Sequence, residues 1–457
     1  MGIQSFHCEH AYLPSGWAEG VRIDVVATGE IAAIASGVAR DGATPIGRYV
    51  LPGMPNLHSH AFQRAMAGRA EHMTHPEDSF WTWREAMYAC AASMDPDALS
   101  AVAAQLYVEM LKSGYTAVCE FHYLHHRPDA GRYEPHGAMS DAVLAAARAS
   151  GIGLTLLPVL YQTGGLDGRP LAERQRRFRH EVPEFLRLVE ALREREDGQM
   201  LVGIAFHSLR AVPEAAMREV LESEIAREGP IHVHIAEQHA EVDDCLTHRG
   251  ARPVAWLLDN APVDPRWCLV HATHMDAQET RALAESGAVA GLCPTTEANL
   301  GDGLFALKPF LAAGGAIGIG SDSQVSVSPI EELRWLEYGQ RLARRARNVI
   351  ASHETPHVGE NLWREALVGG AQASHRRIGA LAHGHRADLV VLDEKAPELA
   401  GVPRAQMLDA LVFSGNRNLV RDVMVGGEWC VQGGRHRDEE RIAGRYREVM
   451  AAHRSGP

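Results

Sequence analysis

Between about residue 55 and residue 325 one arrangement recurs eight times: a short apolar run rich in β-branched residues, followed by a longer stretch with helical spacing. The runs are MPNLHSH, TAVCEFHY, GLTLLPV, LVGIAFHS, IHVHIAE, WCLVHAT, GAVAGLCP and AIGIGSD. Segments between them, such as DPDALSAVAAQLYVEMLKSG and SDAVLAAARASG, carry apolar residues at helical spacing, have Asp or Ser near the start and end on Gly. Eight strands alternating with helices predict an α/β fold, a closed parallel (β/α)₈ barrel of the TIM type.

The flanks carry a different pattern. Residues 1–50, including VRIDVVATGEIAAIASG, and residues 384–435, including GHRADLVVLDE and NLVRDVMVGGEWCVQGG, read as short strands with Gly turns. They predict one small β-sandwich-like domain built from both chain ends, beside a barrel spanning 51–383. Residues 436–457 read as a charged helix followed by a frayed tail.

In a barrel of this kind the chemistry sits at the C-terminal ends of the strands, and the polar residues fall there. His58 and His60 end the first run, and side chains two apart on a strand share a face. His234 and Glu237 close the fifth run, His271 the sixth and Asp322 the eighth. The eighth strand neighbours the first once the barrel closes, so Asp322 is expected beside the His58/His60 pair. Three imidazoles and a carboxylate suit one divalent ion, Zn²⁺ first and Fe²⁺ as the alternative, with a position left for water. His232 shares a strand face with His234, so either could ligate. Taken singly, each of these residues is better explained as a hydrogen-bonder or helix cap; their convergence on one mouth carries the expectation.

HETPH, His353 to His357, matches the His-Glu-x-x-His pattern of zinc proteases, but Pro356 disfavours the helix that the pattern needs, so a polar loop is expected. The Pro-Cys-x-x-Cys signature of zinc nucleobase deaminases is absent. Seven cysteines without a Cys-x-x-Cys pair fit reduced thiols, and the N-terminus lacks a basic start followed by an apolar run, so a cytoplasmic chain without a signal peptide is expected. No run approaches the length of a membrane span. A net charge of −13 argues against nucleic acid or an anionic membrane as partner and requires particular arginines for any anionic substrate.

HSH, HIAE, VHAT, SDS and ADLVVLD give the chain a resemblance to the amidohydrolase superfamily over nearly its whole length. HSHAFQRAMAG, FWTWREAMY, EFHYLHH and FHSLRAVP make it similar, within that superfamily, to the N-formimino-L-glutamate deiminases. The resemblance implies that His58, His60, His234 and Asp322 hold a single metal. It implies catalytic roles for Asp322, as acceptor of a proton from water, for Glu237, as proton carrier to the substrate nitrogen, and for His271, which orients the nucleophile. It places Gln63, Arg84, Tyr123, His207 and Arg210 around a small dicarboxylate substrate, N-formimino-L-glutamate, hydrolysed to N-formyl-L-glutamate and ammonia in histidine degradation, and it implies a homodimer. The alternative is a ring deaminase acting on guanine, a pterin or an adenosine derivative. HSLRAVP, standing where many ring deaminases carry a His-Ala-Pro-like run, disfavours it. An N-acyl or cyclic-amide hydrolase is disfavoured because strand four has no lysine to bridge two metals.

Overall fold

A computed structural model describes residues 2–73, 76 and 79–454, the last two by backbone alone. All eight expected barrel strands form: Met54–Ser59, Tyr115–His122, Gly153–Leu160, a fourth in two pieces (Met200–Val202 and Ile204–Ser208), Ile231–Ile235, Trp267–His271, Val289–Leu292 and Ala316–Ile319. They pair in sequence order and in parallel. Their residues are almost all buried, as strands covered by helices on one side and barrel interior on the other require. The fourth strand breaks at Gly203, where an added Cβ would lie 2.6 Å from Pro230 O, so the backbone passes too close to its neighbour to continue one ladder.

The barrel closes between strands one and eight by a short bridge, Ser59 to Asp322, with Asp322 N donating to His58 O (3.0 Å) and His60 N to Asp322 O (3.2 Å). Gly320 permits the approach, since a Cβ there would meet His58 Cβ at 2.7 Å. The helix before strand two, Pro96–Ser113, shows how the local sequence sets its ends. Asp95 caps the first turn by accepting from Ala98 N (2.8 Å), Pro96 takes the first position, and Gly114 ends the helix in the left-handed region. The helix expected from Ser140 starts earlier, at Ala138, and Ser140 is buried within it.

Both chain ends join in one hydrogen-bonded sheet of eight strands. The N-terminal strands Thr44–Pro52, Gln4–Leu13, Gly16–Val25 and Ile31–Ala35 continue from the C-terminal strands Leu389–Leu392, Val420–Val425, Glu428–Gln432 and Arg435–His436. The sheet carries its own apolar core, with Phe6, Ile23, Ile31, Leu389 and Met424 at its centre. The final helix, Glu439–Arg454, follows it, and the last three residues of the expected frayed tail lie outside the described residues. Residues 353–357 form a loop ahead of helix Val358–Ser374, as the proline requires. Among the described residues no helix is long and apolar enough to cross a membrane.

Candidate metal centre and active site

The first strand delivers His58 and His60 to the barrel mouth, and strand five delivers His234. His58 Nε2 lies 3.2 Å from His60 Nε2 and 3.0 Å from His234 Nε2. The other ring nitrogens explain this contact. His60 Nδ1 donates to Phe121 O (2.9 Å) and His234 Nδ1 to His207 O (2.9 Å), which leaves each Nε2 as a bare lone pair. Lone pairs aimed at one point repel unless a cation lies among them. Asp322 Oδ1 completes the set, 3.4 Å from His58 Nε2 and 3.3 Å from His60 Nε2.

Protonation states agree with a cation site. Burial lowers the pKa of His58 to about 3 and that of His60 and His234 below the usual range, so all three imidazoles stay neutral and ligand-competent. Burial alone would raise Asp322, but its polar contact with His58 and the positive charge of the nearby His271 imidazolium outweigh it and hold the carboxylate ionised. The donor set therefore fits a divalent metal. His271 and Cys293 also approach Asp322 closely. His271 Nδ1 is engaged by Glu297 Oε1 (3.3 Å), however, and burial pushes the Cys293 thiol well up, which keeps it protonated. His232 turns away from the centre and bonds Ala373 O (2.8 Å).

Backbone strain is concentrated at the same strand ends. Ala236, His271, Ala272 and Asp322 have φ of 51°, 69°, 48° and 43°, in a region that non-glycine residues seldom enter. That geometry turns the Asp322 and His271 side chains inward. His271 Nε2 faces Glu237 Oε1 at 3.7 Å and Asp322 Oδ2 at 3.8 Å. Burial would lower His271, but the charge of Glu237, the bond to Glu297 and the charge of Asp322 raise it to about 10, the imidazolium form. Glu237 is pushed up to about 7, chiefly by burial, with His271 pulling it back.

One cavity opens over this centre, and His60, Gln63, Arg84, Tyr123, His207, Arg210, His234, Glu237, His271 and Asp322 all line it. His58 is fully buried against its floor. Gln63 Nε2 donates to Tyr123 Oη (2.9 Å), and its Oε1 is buried without a partner. Arg210 Nε is likewise buried and unpartnered, a charged donor at the cavity wall. Arg84 comes from helix Phe80–Ala92 and donates to Tyr161 Oη (3.2 Å), with its guanidinium 5.2 Å from the Tyr88 ring and 5.4 Å from the Trp81 ring.

The profile of the amidohydrolase family matches residues 49–430, most of the chain. This chain belongs to the amidohydrolase family. Residues 4–45 match a second profile, the N-terminal domain of the formimidoylglutamate deiminase HutF. The chain is 52% identical over 449 residues to the formimidoylglutamate deiminase of Pseudomonas aeruginosa, covering 98% of this chain and 99% of that one. The crystal structure of an amidohydrolase from Brucella melitensis is 45% identical and superimposes with a TM-score of 0.93, covering 99% of this chain and 100% of that one. An adenosine deaminase from Xanthomonas campestris, solved with bound zinc, shares the fold at 21% identity, with a TM-score of 0.82 and 99% of each chain covered.

Several supporting groups of this amidohydrolase have no motif to announce them. Glu297, from the short helix after strand seven, fixes the His271 ring. Glu241 accepts from the N–H groups of Ala236 (3.1 Å) and Glu237 (3.3 Å) and so holds the strained exit of strand five. Gln175 Nε2 donates to both Tyr161 Oη (3.1 Å) and Tyr88 Oη (3.0 Å), bracing the segment that carries Arg84. Asn56, Ser321 and Gln324 link strands one and eight beside Asp322.

Proposed function

We propose that this amidohydrolase hydrolyses N-formimino-L-glutamate to N-formyl-L-glutamate and ammonia, a step of histidine degradation. The observation that carries the reading is one cavity in which a carboxylate-histidine centre faces two arginines, Arg84 and Arg210, in a chain of net charge −13. The 52% identity to a formimidoylglutamate deiminase over 98% of the chain supports it.

His58, His60, His234 and Asp322 would hold one divalent ion, with Zn²⁺ the best match to an imidazole-rich set and Fe²⁺ the alternative. Such an ion supplies Lewis acidity and makes water acidic enough to attack near neutral pH. Asp322, ionised, takes the proton of the attacking water. His271, tied by Glu297, keeps an Nε2–H toward the reacting centre and orients the incoming oxygen. Water adds to the formimino carbon of the C=NH group and Glu237 gives a proton to the nitrogen, making an amine; the proton taken by Asp322 then passes to that amine, Glu237 recovers the remaining hydroxyl proton, and the C–N bond breaks to release ammonia and leave a formyl C=O. Arg84 and Arg210 hold the two carboxylates, and Tyr123, positioned by Gln63, adds a hydrogen bond with His207. All seven cysteines are free, which supports a reducing, cytoplasmic setting. The exposed stripe Trp335, Tyr338 and Leu342 on helix Pro329–Arg344 supports a homodimer.

The test is ammonia release from metal-loaded protein across N-formimino-L-glutamate, guanine, a pterin and adenosine, with the acyclic product identified by NMR. Release from N-formimino-L-glutamate with stoichiometric N-formyl-L-glutamate is expected. Turnover of a ring substrate alone would replace this reading with the ring deaminase.

A further inference from the structure

At the end of the barrel opposite its mouth, the segments entering strands three and four meet the terminal sheet around a cleft of about 540 Å³. Five arginines line it, Arg148, Arg376, Arg377, Arg386 and Arg437, against three acids, Glu30, Asp197 and Glu428. Two of the arginines are already matched. Arg148 pairs with Asp197 at 2.7 Å, and Arg386 grips Asp388 through Nε (2.8 Å) and Nη2 (2.5 Å), while its Nη1 is buried without a partner. Arg376 donates only to neutral carbonyls, Leu154 O (3.0 Å) and Gly198 O (2.7 Å). Among the described residues no carboxylate lies within ion-pairing distance of Arg376, Arg377 or Arg437.

The C-termini of helices Ala138–Ser150 and Val358–Ser374, at Gly151 and His375, offset part of this charge. They do not supply a counter-ion. Burial, and then the charge of Arg386, disfavour the cationic form of Arg376, the charges of Asp388 and Asp197 offset this only in part, and a guanidinium cannot escape the remaining penalty by losing its proton. A bound anion would relieve it.

We propose that this cleft is a binding site for a phosphate group, held by Arg376, Arg377 and Arg437. The guanidiniums come from the end of helix Val358–Ser374 and from the chain leaving the terminal sheet, so they reach an anion from separate directions. That arrangement suits a tetrahedral oxyanion. A planar carboxylate is satisfied by one arginine in a fork. The cleft exceeds what one phosphate fills, which leaves room for an organic part. The site is remote from the metal centre, so its occupancy is read as stability rather than turnover.

The experiment is thermal unfolding of the metal-loaded full chain titrated with inorganic phosphate, with adenosine monophosphate, with glutarate, and with chloride at matched ionic strength. Phosphate is expected to raise the Tm saturably by several degrees, as binding to the native state requires. The double variant Arg377→Gln/Arg437→Gln alters two exposed side chains. It is expected to lose that shift while keeping wild-type kcat/KM, which also separates this site from phosphate bound at the metal. A larger shift with adenosine monophosphate supports the site and assigns an organic phosphate; an equal or smaller one supports it and assigns the free ion. No saturable shift, an equal shift with glutarate or chloride, or an undiminished shift in the double variant would overturn the proposal.

Discussion

Two groups of buried histidines share this barrel mouth. His58, His60 and His234 have ring centroids 4.6 to 5.3 Å apart. His122, His125, His126 and His180, gathered at the end of strand two and on the loops after strands two and three, stand 4.3 to 6.4 Å from their neighbours. Burial lowers the pKa in both groups. What separates them is where the ring nitrogens point and which charges face them. In the first group the anchored Nδ1 atoms of His60 and His234 turn their Nε2 atoms toward that of His58, on one point beside Asp322. In the second, His125 and His126 spend Nε2 on Val159 O (3.0 Å) and Arg179 O (2.7 Å), and His180 has neither ring nitrogen bonded. Burial, and then the neighbouring His126, His136, His122 and Arg132, all disfavour its charged form. Histidine density does not make a cation site; converging lone pairs with a carboxylate do.

Substitutions in the first group should therefore be severe. Asp322→Asn is expected to cut kcat/KM for N-formimino-L-glutamate by about 10³–10⁴-fold, because it removes both a ligand and the proton acceptor. His125→Ala should stay within a few-fold of wild type, and equal losses in the two variants would erase the contrast. Next come Arg84→Met and Arg210→Met, each expected to lose about 2–5 kcal/mol of transition-state binding with the fold intact, as for one side of a buried charge pair. Steady-state kinetics on both variants checks this, and near-wild-type kcat/KM in both would remove the carboxylate-binding role. Glu237→Gln should lower kcat by about 10²-fold while metal content is unchanged. Lost metal would make Glu237 a support of the centre instead.

The smallest effect lies in the second group. His180 is held neutral in the folded chain, its pKa well below the ordinary 6.5. The unfolded chain takes up a proton that the folded chain does not, so stability is lost as pH falls below about 6.5. His180→Phe removes a buried ring with two unsatisfied nitrogens. Urea unfolding should show equal or greater stability at pH 7, and a slope between pH 6 and 5 shallower by about 1.4 kcal/mol per unit. A steeper slope in the variant would show that the ring is not held neutral.

The contrast also explains what could be read from the chain. The barrel was legible because apolar runs and helical spacing alternate along the sequence, and closure then puts Asp322 beside His58 without further information. The separation of His234 from His232 was not legible, since both share a strand face. It depends on depth in the barrel, where His232 meets Ala373 at the end of a helix more than a hundred residues on. Arg84 was found through its motif, but Tyr161 and Gln175, which brace it, come from a loop whose path no periodicity sets. Glu297 looks from sequence like an ordinary first-turn acid of a short helix. The split of strand four at Gly203 reflects a backbone approach that one glycine in an apolar run does not reveal.

Elemental analysis after metal-replete expression tests most directly whether the carboxylate-bearing histidines hold the ion. Wild type, His125→Ala and His180→Phe should each carry one divalent ion per chain, whereas His58→Ala and His234→Ala should carry close to none while keeping wild-type far-UV circular dichroism. An ion retained in His58→Ala and His234→Ala but lost in His125→Ala or His180→Phe would contradict this, and would move the metal centre to the other group of histidines.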